Sequence, residues 1–195
     1  MKVLIYASPA NSQYDEYING MYDEVKKLGY DHVNDEVKTH KIRDILNAAS
    51  SGQKYSQDEY NQSITTLVDD INKAEICIFE VSFQSLGAGY LVDKSLDYSK
   101  PTIVLYLEGH KPHILSVVDD EKLVVRSYNE KNYKKVLKEA LNFAREKRDK
   151  RFNFFLSPKL LNYLEQASNT RGITKSKLLR DMIVQHMREN SDSKE

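Results

Sequence analysis

The sequence has few of the residues that define several common classes of protein. Its 195 residues include no tryptophan and one cysteine, Cys77. A single cysteine excludes an intrachain disulfide and a zinc site built from several cysteines, so we expect Cys77 to be a small buried residue of a strand. Basic and acidic residues are equal at 29 each, so no overall field directs the chain to nucleic acid or to an anionic membrane. Any basic surface must therefore be local.

Long apolar runs are also absent. The stretch 1–10 contains one lysine and a short apolar run before a polar segment, which is too short for a signal peptide. No run approaches the ~20 apolar residues of a membrane helix. These absences predict a cytoplasmic protein with no membrane partner. The apolar fraction of 40% is nevertheless enough for a sizeable core.

Residues 74–106 carry the pattern around which the first part of the chain is organised. Two apolar runs, 76–81 and 103–106, flank a segment that contains Gly87 and Gly89 and continues as a helix. This order predicts a strand, a glycine-rich turn, a helix and a second, parallel strand. Backbone N–H groups at such a turn can point at an anion or a sugar. The ligand edge of the sheet is therefore predicted at this turn.

Apolar residues at strand or helix spacing lie on both sides of this unit. Before the unit they predict a strand at 2–6, a helix at 14–28 ended by Gly29, a short strand at 30–37 and a loop with one helical turn at 38–56. After the unit they predict an edge strand at 122–127 and a closing helix at 129–147. Ser56 and Glu59 are spaced as a capping box that opens one more helix at 57–72. Residues 1–148 are thus predicted to form an α/β domain of the Rossmann- or flavodoxin-like three-layer class, with a mainly parallel sheet of about five strands.

The glycine-rich turn resembles the signature of one family. The string Ser-Leu-Gly-Ala-Gly-Tyr at 85–90 is similar to that of the nucleoside 2-deoxyribosyltransferases, and especially of the 2′-deoxynucleoside 5′-phosphate N-hydrolases. In that family the next residue is a glutamate that attacks C1′ of the deoxyribose, whereas this chain has Leu91. A retaining attack at an anomeric carbon requires a carboxylate. The resemblance therefore implies a related domain that has lost its nucleophile.

The resemblance also implies a set of ligand contacts. Ser116 stands where the N-hydrolases have a serine that reaches the nucleotide phosphate of a neighbouring subunit. A second acid of the family, on the helix before the central strand, falls at Leu67, and the loop at 7–12 lacks the family's arginine and glycine. The implied contacts of a nucleotide or nucleoside are Tyr6, Ser8, Ser85, Gly87, Gly89, Tyr90 and Ser116.

Two acids near the turn are the candidates for a rearranged catalytic site. Glu80 ends the central strand, where it either contacts the ligand or caps the turn, and the structural role is favoured. Asp93 lies two residues beyond Leu91, about 200° around an ideal helix, so it does not easily replace the nucleophile. On the preceding helix, Asp69 and Asp70 are both predicted to lie on a solvated face.

No metal or cofactor is predicted from the sequence. His110 and His113 are three residues apart, which is a spacing found among metal ligands. However, Pro112 lies between them and no paired cysteine or carboxylate pattern accompanies them. We therefore interpret both histidines as loop residues.

Residues 149–190 carry a different pattern. An alternating segment at 151–156 precedes a Ser-Pro pair at 157–158, a helix that Gly172 ends, and a second helix that Thr174 caps. Strand, helix, glycine turn and helix in this order resemble a ribbon-helix-helix domain. A module of this size buries too little surface alone, and the resemblance implies an intertwined homodimer or a higher homo-oligomer.

In the resembling repressors, alternate strand residues enter the major groove of DNA as an antiparallel ribbon, and the second helix binds phosphate through its N-terminus. With Phe152, Phe154 and Leu156 inward, Arg151, Asn153 and Phe155 point outward. The first two suit base edges, whereas Phe155 favours a protein contact. The implied DNA-binding residues are Arg151, Asn153, Phe155, Thr174, Lys175 and Ser176. Residues 191–195 are predicted to be a disordered tail.

Three functional hypotheses follow from these patterns. The first is a DNA-binding regulator without catalysis, which joins a ribbon-helix-helix dimer to a degenerate deoxyribosyltransferase-like domain that senses a nucleotide or nucleoside. The second is a nucleoside or nucleotide N-glycosidase or deoxyribosyltransferase that uses Glu80 or Asp93. The third is an oligomerisation or protein-interaction module. Leu91 argues against the second and Phe155 favours the third, whereas the basic residues of the C-terminal module favour the first.

Overall fold

The computed structural model describes residues 1–7, 15–34, 45, 56–83, 85–148 and 154–191. The chain divides into two compact units, Met1–Asp149 and Lys150–Glu195. None of the helices in the described ranges combines the length and the apolarity of a membrane span. Several predicted features lie outside the described residues: most of the loop at 38–56, the far end of the strand at 30–37, Ser8, Arg151, Phe152, Asn153 and the tail after 191.

The first unit contains a five-stranded sheet. Its strands are β1 Lys2–Ala7, β2 Asp31–His32, β3 Ile76–Glu80, β4 Thr102–Leu107 and β5 Leu123–Tyr128. Every neighbouring pair is parallel and the order is β2-β1-β3-β4-β5. This is the order of flavodoxin-like doubly wound sheets, whose ligand crevice opens where the winding reverses between β1 and β3. The predicted fold class and the edge position of β5 are both confirmed.

Helices cover both faces of this sheet. They are α1 Asp15–Lys27, α2 Gln57–Lys73, α3 Leu86–Asp97 and α4 Tyr133–Glu146. Alternate residues of β1 enter two separate apolar clusters, since Val3 and Ile5 pack with α1 and α4, whereas Leu4 and Tyr6 pack with α2 and α3. The strands β1, β3 and β4 are therefore mostly buried and apolar, as expected for a parallel sheet that is covered on both faces, whereas Arg126 and Ser127 of the edge strand β5 are exposed.

Local signals set several of the helix ends. Ser56 Oγ accepts from the Glu59 backbone N–H at 3.2 Å, and Glu59 Oε2 accepts from the Ser56 N–H at 2.9 Å, so the predicted capping box is confirmed. Helix α1 ends before Gly29, whose φ of 83° is in the left-handed region. Helix α3 ends at Asp97, two residues before Ser99, which adopts a left-handed φ of 55°.

The burial of one acidic residue on α2 differs from the prediction. Asp69 is exposed as predicted, but the prediction that Asp70 is solvated is wrong, since Asp70 is 1% exposed. Ser63, Leu67 and Asp70 are buried at spacings of four and three residues, which places them on one face of a helix. Lys73 Nζ lies 3.6 Å from Asp70 Oδ1. Because α2 leads into the amino end of β3, Asp70 lies far from the carboxyl edge of the sheet.

The second unit contains two helices in its described part, α5 Pro158–Arg171 and α6 Lys175–Ser191. Ser157 and Thr174 each accept a hydrogen bond through the side-chain oxygen from the backbone N–H three residues later. Gly172 ends α5 with a left-handed φ of 63°, a conformation that glycine adopts without strain. The predicted caps and the predicted stop are confirmed. Residues 154–157 form no regular secondary structure within the single chain.

Few described side chains of the second unit are buried. Leu164, Ser168 and Leu178 are the buried ones among residues 154–190. Large apolar side chains are exposed instead: Phe154, Phe155, Leu160, Leu161, Tyr163, Met182, Ile183, Val184 and Met187. A single copy therefore lacks the core that an independent domain needs.

Candidate functional site

The carboxyl edge of the sheet brings two strand ends together at the switch point. Ala7 of β1 pairs in register with Glu80 of β3, and α3 begins six residues after Glu80. Ligands of doubly wound sheets bind in the crevice outside these strand ends. This edge, with the first turn of α3, is therefore the candidate ligand site of the first unit.

Glu80 is held by the ends of three strands. It is 1% exposed, and its Oε1 accepts hydrogen bonds from the Ser82 N–H at 3.1 Å, from the Ser82 hydroxyl, and from the Tyr128 hydroxyl at 3.1 Å. Ser82 Oγ in turn accepts from the Leu107 N–H at 2.8 Å. One carboxylate thus links β3, β4 and β5. This arrangement favours the structural role of Glu80, because its Oε1 ties the ends of three strands together.

Two tyrosines extend this network along the edge. Burial, reinforced by the neighbouring Glu80 carboxylate, raises the pKa of Tyr128 above its ordinary value. Its ring packs edge-on against Tyr17 at a centroid distance of 6.4 Å, and a hydrogen bond to Glu130 raises the pKa of Tyr17 to about 12. Both hydroxyls are therefore protonated at neutral pH, and Tyr128 remains a donor to Glu80.

Leu91 lies inside an apolar cluster. It is 1% exposed, and it shares the cluster with Leu67, Tyr6, Phe79 and Ala88. The two positions that the family resemblance equates with acids are thus both leucines of one core. Tyr6 is also 1% exposed, so the aromatic ring expected at the ligand packs against Phe79, with ring centroids 6.3 Å apart.

The first turn of α3 is open at the backbone. Ser85 Oγ accepts from the Ala88 N–H at 3.2 Å, which makes Ser85 the N-cap of the helix. A Cβ added at Gly89 would meet no atom within 4 Å, and one at Gly87 would meet Ser85 Oγ at 3.6 Å. Close packing within the chain therefore does not require these glycines. They leave the turn accessible to an approaching group.

An open groove of about 640 Å³ lies between the first turns of α3 and the segment 112–118. Its lining is mostly apolar, with Ser85, Asp93 and His113 as its polar members. Asp93 faces this groove while Leu91 faces the core, as their separation around the helix predicts. Ser116 is not among the lining residues, and its hydroxyl donates to the Pro112 carbonyl at 2.8 Å.

The described part of the chain brings no three His, Cys, Asp or Glu side chains together as metal ligands. His113 lines the groove, whereas the ring of His110 lies 6.1 Å from that of Phe83. The two histidines of the loop thus have different surroundings.

The residues implied in DNA binding lie at two places in the second unit. Lys175 and Ser176 are exposed in the first turn of α6, which Thr174 caps. Phe155 is fully exposed, and Arg151 and Asn153 lie outside the described residues. Residues 150–195 carry nine Lys and Arg against five Asp and Glu, which leaves 20 against 24 in residues 1–149. Residues 150–195 therefore carry a surplus of four basic residues, whereas residues 1–149 carry a surplus of four acidic ones.

Sequence reasoning missed several residues at these sites. Ser82, Tyr17 and Tyr128 belong to the network around Glu80, and Glu165 lies beside Lys175. The position of Tyr128 at the end of a parallel strand was a usable signal, because the carboxyl ends of parallel strands meet at one edge. No comparable signal in the sequence links Glu165 to a lysine ten residues away.

Comparison with solved structures gives distant likenesses. No family model matches the chain, and no curated protein matches it either. A CMP N-glycosidase from Clostridium botulinum, BcmB, is 15% identical with a TM-score of 0.49, over 73% of this chain and 99% of that one. An FMN-dependent NADH-azoreductase from Bacillus anthracis is 9% identical with a TM-score of 0.37, over 74% and 100%. At such scores neither protein informs the activity of this chain.

Proposed function

We propose that this chain is a non-catalytic DNA-binding regulator, in which the second unit forms a ribbon-helix-helix dimer and the first is a degenerate deoxyribosyltransferase-like domain. The observation that carries the proposal is the geometry of the second unit. A glycine-stopped helix is followed by a Thr174-capped helix that presents Lys175 and Ser176. This is the sequence of elements by which the resembling repressors hold phosphate beside their ribbon.

The exposed apolar residues of the second unit support the dimer. Leu160 and Leu161 of α5 and Ile183 and Met187 of α6 are between 44% and 63% exposed. A second copy of the unit supplies the surface that covers them, and residues 151–157 of the two copies pair as an antiparallel ribbon. The absence of a strand at 154–157 in one chain is consistent with this, since the ribbon needs two chains.

The charge distribution supports binding to duplex DNA. Residues 150–195 have a surplus of basic residues while the whole chain is neutral, so positive charge meets phosphate locally. In the proposed complex Arg151 and Asn153 read base edges and Lys175 contacts phosphate. Phe155 of the two chains lies at the same surface, where it contacts a thymine methyl group or a sugar.

The core position of Leu91 supports the lack of catalysis. A nucleophile must reach its substrate, whereas position 91 is 1% exposed among apolar side chains. The open first turn of α3 and the groove beside it still offer Ser85, Gly89 and Tyr90 to a nucleotide or nucleoside. In the proposal this ligand is an effector that the first unit binds without cleaving it.

Duplex binding and base release, measured side by side, test the proposal. Fluorescence anisotropy with a randomised duplex at low salt should show binding that weakens steeply as salt is added. Deoxynucleosides and their 5′-monophosphates should release no free base above a buffer blank. Sedimentation should show a dimer or larger species. A dimer that binds no duplex at low salt would favour the oligomerisation hypothesis, with the exposed Phe155 pair as its contact surface.

An N-glycosidase is the second candidate, because two carboxylates remain near the open turn. Glu80 stands at the switch point of the sheet and Asp93 lines the groove. Base release by the wild-type protein that Glu80→Gln or Asp93→Asn abolishes would establish this candidate and contradict the non-catalytic proposal. The same variants should leave duplex binding unchanged, since both acids belong to the first unit.

A further inference from the structure

An ion pair joins the two helices of the second unit at the proposed phosphate contact. Lys175 Nζ lies 3.7 Å from Glu165 Oε2, and the two side chains are 47% and 56% exposed. Lys175 is the first residue of α6, where the positive end of the helix dipole disfavours a cation. Glu165 offsets this unfavourable placement, because its carboxylate reaches across from the middle of α5.

We infer that Glu165 limits the affinity of this surface for DNA by competing with phosphate for Lys175. The inference rests on the proposed function, since it assumes that Lys175 meets a phosphate. A phosphate that approaches the start of α6 meets both a lysine that is already paired and a carboxylate of its own sign. Binding therefore exchanges one anionic partner of Lys175 for another, and the displaced Glu165 is left beside the phosphate.

The expected size of the effect follows from the exposure of the pair. Half-exposed ion pairs are weak and are screened by salt. Removing the competition should tighten duplex binding by about 1.4- to 5-fold for each subunit, the range that measured surface pairs span. A symmetric dimer has two such pairs, so the dissociation constant should fall by roughly 2- to 25-fold.

A double-mutant cycle on the full chain tests the inference. The variants are Glu165→Gln, Lys175→Ala and the double variant, measured by anisotropy with one duplex at one salt concentration. Asp181→Asn is the matched control, because it removes the same charge from the exposed surface of α6, six residues beyond Lys175. We expect Glu165→Gln to bind more tightly than wild type and Asp181→Asn to bind more tightly by a smaller factor. When Lys175 is alanine, Glu165→Gln should gain less than in wild type, because only the repulsion between Glu165 and phosphate is then removed.

Three outcomes separate competition from its alternatives. If Glu165→Gln binds no more tightly than Asp181→Asn, or if its gain persists undiminished in the Lys175→Ala background, the effect is one of net charge and the inference is wrong. If Glu165→Gln binds more weakly and its thermal midpoint falls, the pair serves to hold α5 against α6 and the inference is again wrong. If neither the wild type nor any variant binds duplex, the proposed function has failed and the inference fails with it.

Discussion

The Tyr128 hydroxyl donates a hydrogen bond to Glu80 Oε1 at 3.1 Å, from the end of β5 to the end of β3. These strands are not neighbours, since β4 lies between them. A buried carboxylate that loses a donor keeps its desolvation cost. Loss of this contact should therefore destabilise the carboxyl edge of the sheet, where the candidate ligand site lies.

Tyr128→Phe should lower the free energy of unfolding of the first unit by about 1–3 kcal/mol, because Glu80 stays buried with one donor fewer. Urea denaturation followed by circular dichroism measures the change. Tyr90→Phe is the control, since the Tyr90 ring is 49% exposed in the groove and surface changes usually stay within about 0.5 kcal/mol. Equal stabilities of the two variants would show that the bond to Glu80 contributes nothing.

Leu91→Glu should destabilise the first unit by an amount on the order of 3–5 kcal/mol, because it places an unpaired charge in an apolar cluster. It should also release no base from deoxynucleosides. Leu91→Met keeps the volume and the apolar character, so it should cost less than about 1.5 kcal/mol. A Leu91→Glu protein as stable as wild type would mean that position 91 opens to solvent.

Gly20→Ala should cost more while Tyr133 keeps its hydroxyl. A Cβ at Gly20 would stand 2.6 Å from the Tyr133 hydroxyl oxygen. The ring carbons Cζ and Cε2 of Tyr133 would lie 3.2 and 3.3 Å from that Cβ, so Tyr133→Phe removes the closest contact and leaves two tight ones. In the absence of contacts, alanine gains up to about 1 kcal/mol over glycine in a helix interior. We expect Gly20→Ala to be more favourable in a Tyr133→Phe background than in wild type by about 1 kcal/mol. Identical effects of Gly20→Ala in the two backgrounds, by urea denaturation, would contradict the contact.

Ionisation of Tyr17 should lower the stability of the first unit at alkaline pH. Its pKa is raised from 10.0 to about 12 by the hydrogen bond to Glu130, so the folded state holds the proton more tightly than the unfolded chain. The stabilisation is complete below pH 10.0 and is lost as the pH rises from there toward about 12. Urea denaturation at several pH values should show a smaller alkaline loss for Tyr17→Phe. Parallel curves for the two proteins would disprove this linkage.

Arg151→Ala and Lys175→Ala should weaken duplex binding in different ways. If Arg151 reads a guanine, its loss should cost about 1–3 kcal/mol at one base pair and relax sequence preference there. Lys175→Ala should weaken all sequences alike and reduce the slope of log affinity against log salt by about 1 for each subunit. Selection from a randomised duplex pool and a salt titration measure the two effects. Equal losses of sequence preference in both variants would contradict these separate roles.

The sequence predicted the fold better than it predicted the site. Apolar runs, the capping box of Ser56 and Glu59, and the glycine stops at Gly29 and Gly172 are local signals, and each one was found in the structure. The hydrogen bonds of Glu80 come from Ser82, two residues away, and from Tyr128, 48 residues away. The second contact leaves no local pattern and could be inferred only from the edge that the carboxyl ends of parallel strands share. The solvated position predicted for Asp70 was wrong because acids were treated as exposed, although helical spacing placed this one among buried residues.

The pairing of β1 with β3 also determines when the first unit can fold. Lys2 N donates to Glu75 Oε2 at 2.8 Å across a sequence separation of 73 residues, and Val3 pairs with Ile76. During translation at about 5–20 residues per second, β1 waits roughly 4–15 s for β3 to be made. Five of its six residues are buried in the finished sheet, so the nascent chain exposes an apolar strand during this delay. Until β3 is available, this unpaired strand edge is where the nascent chain can associate with other chains, whatever ligand its sheet later binds.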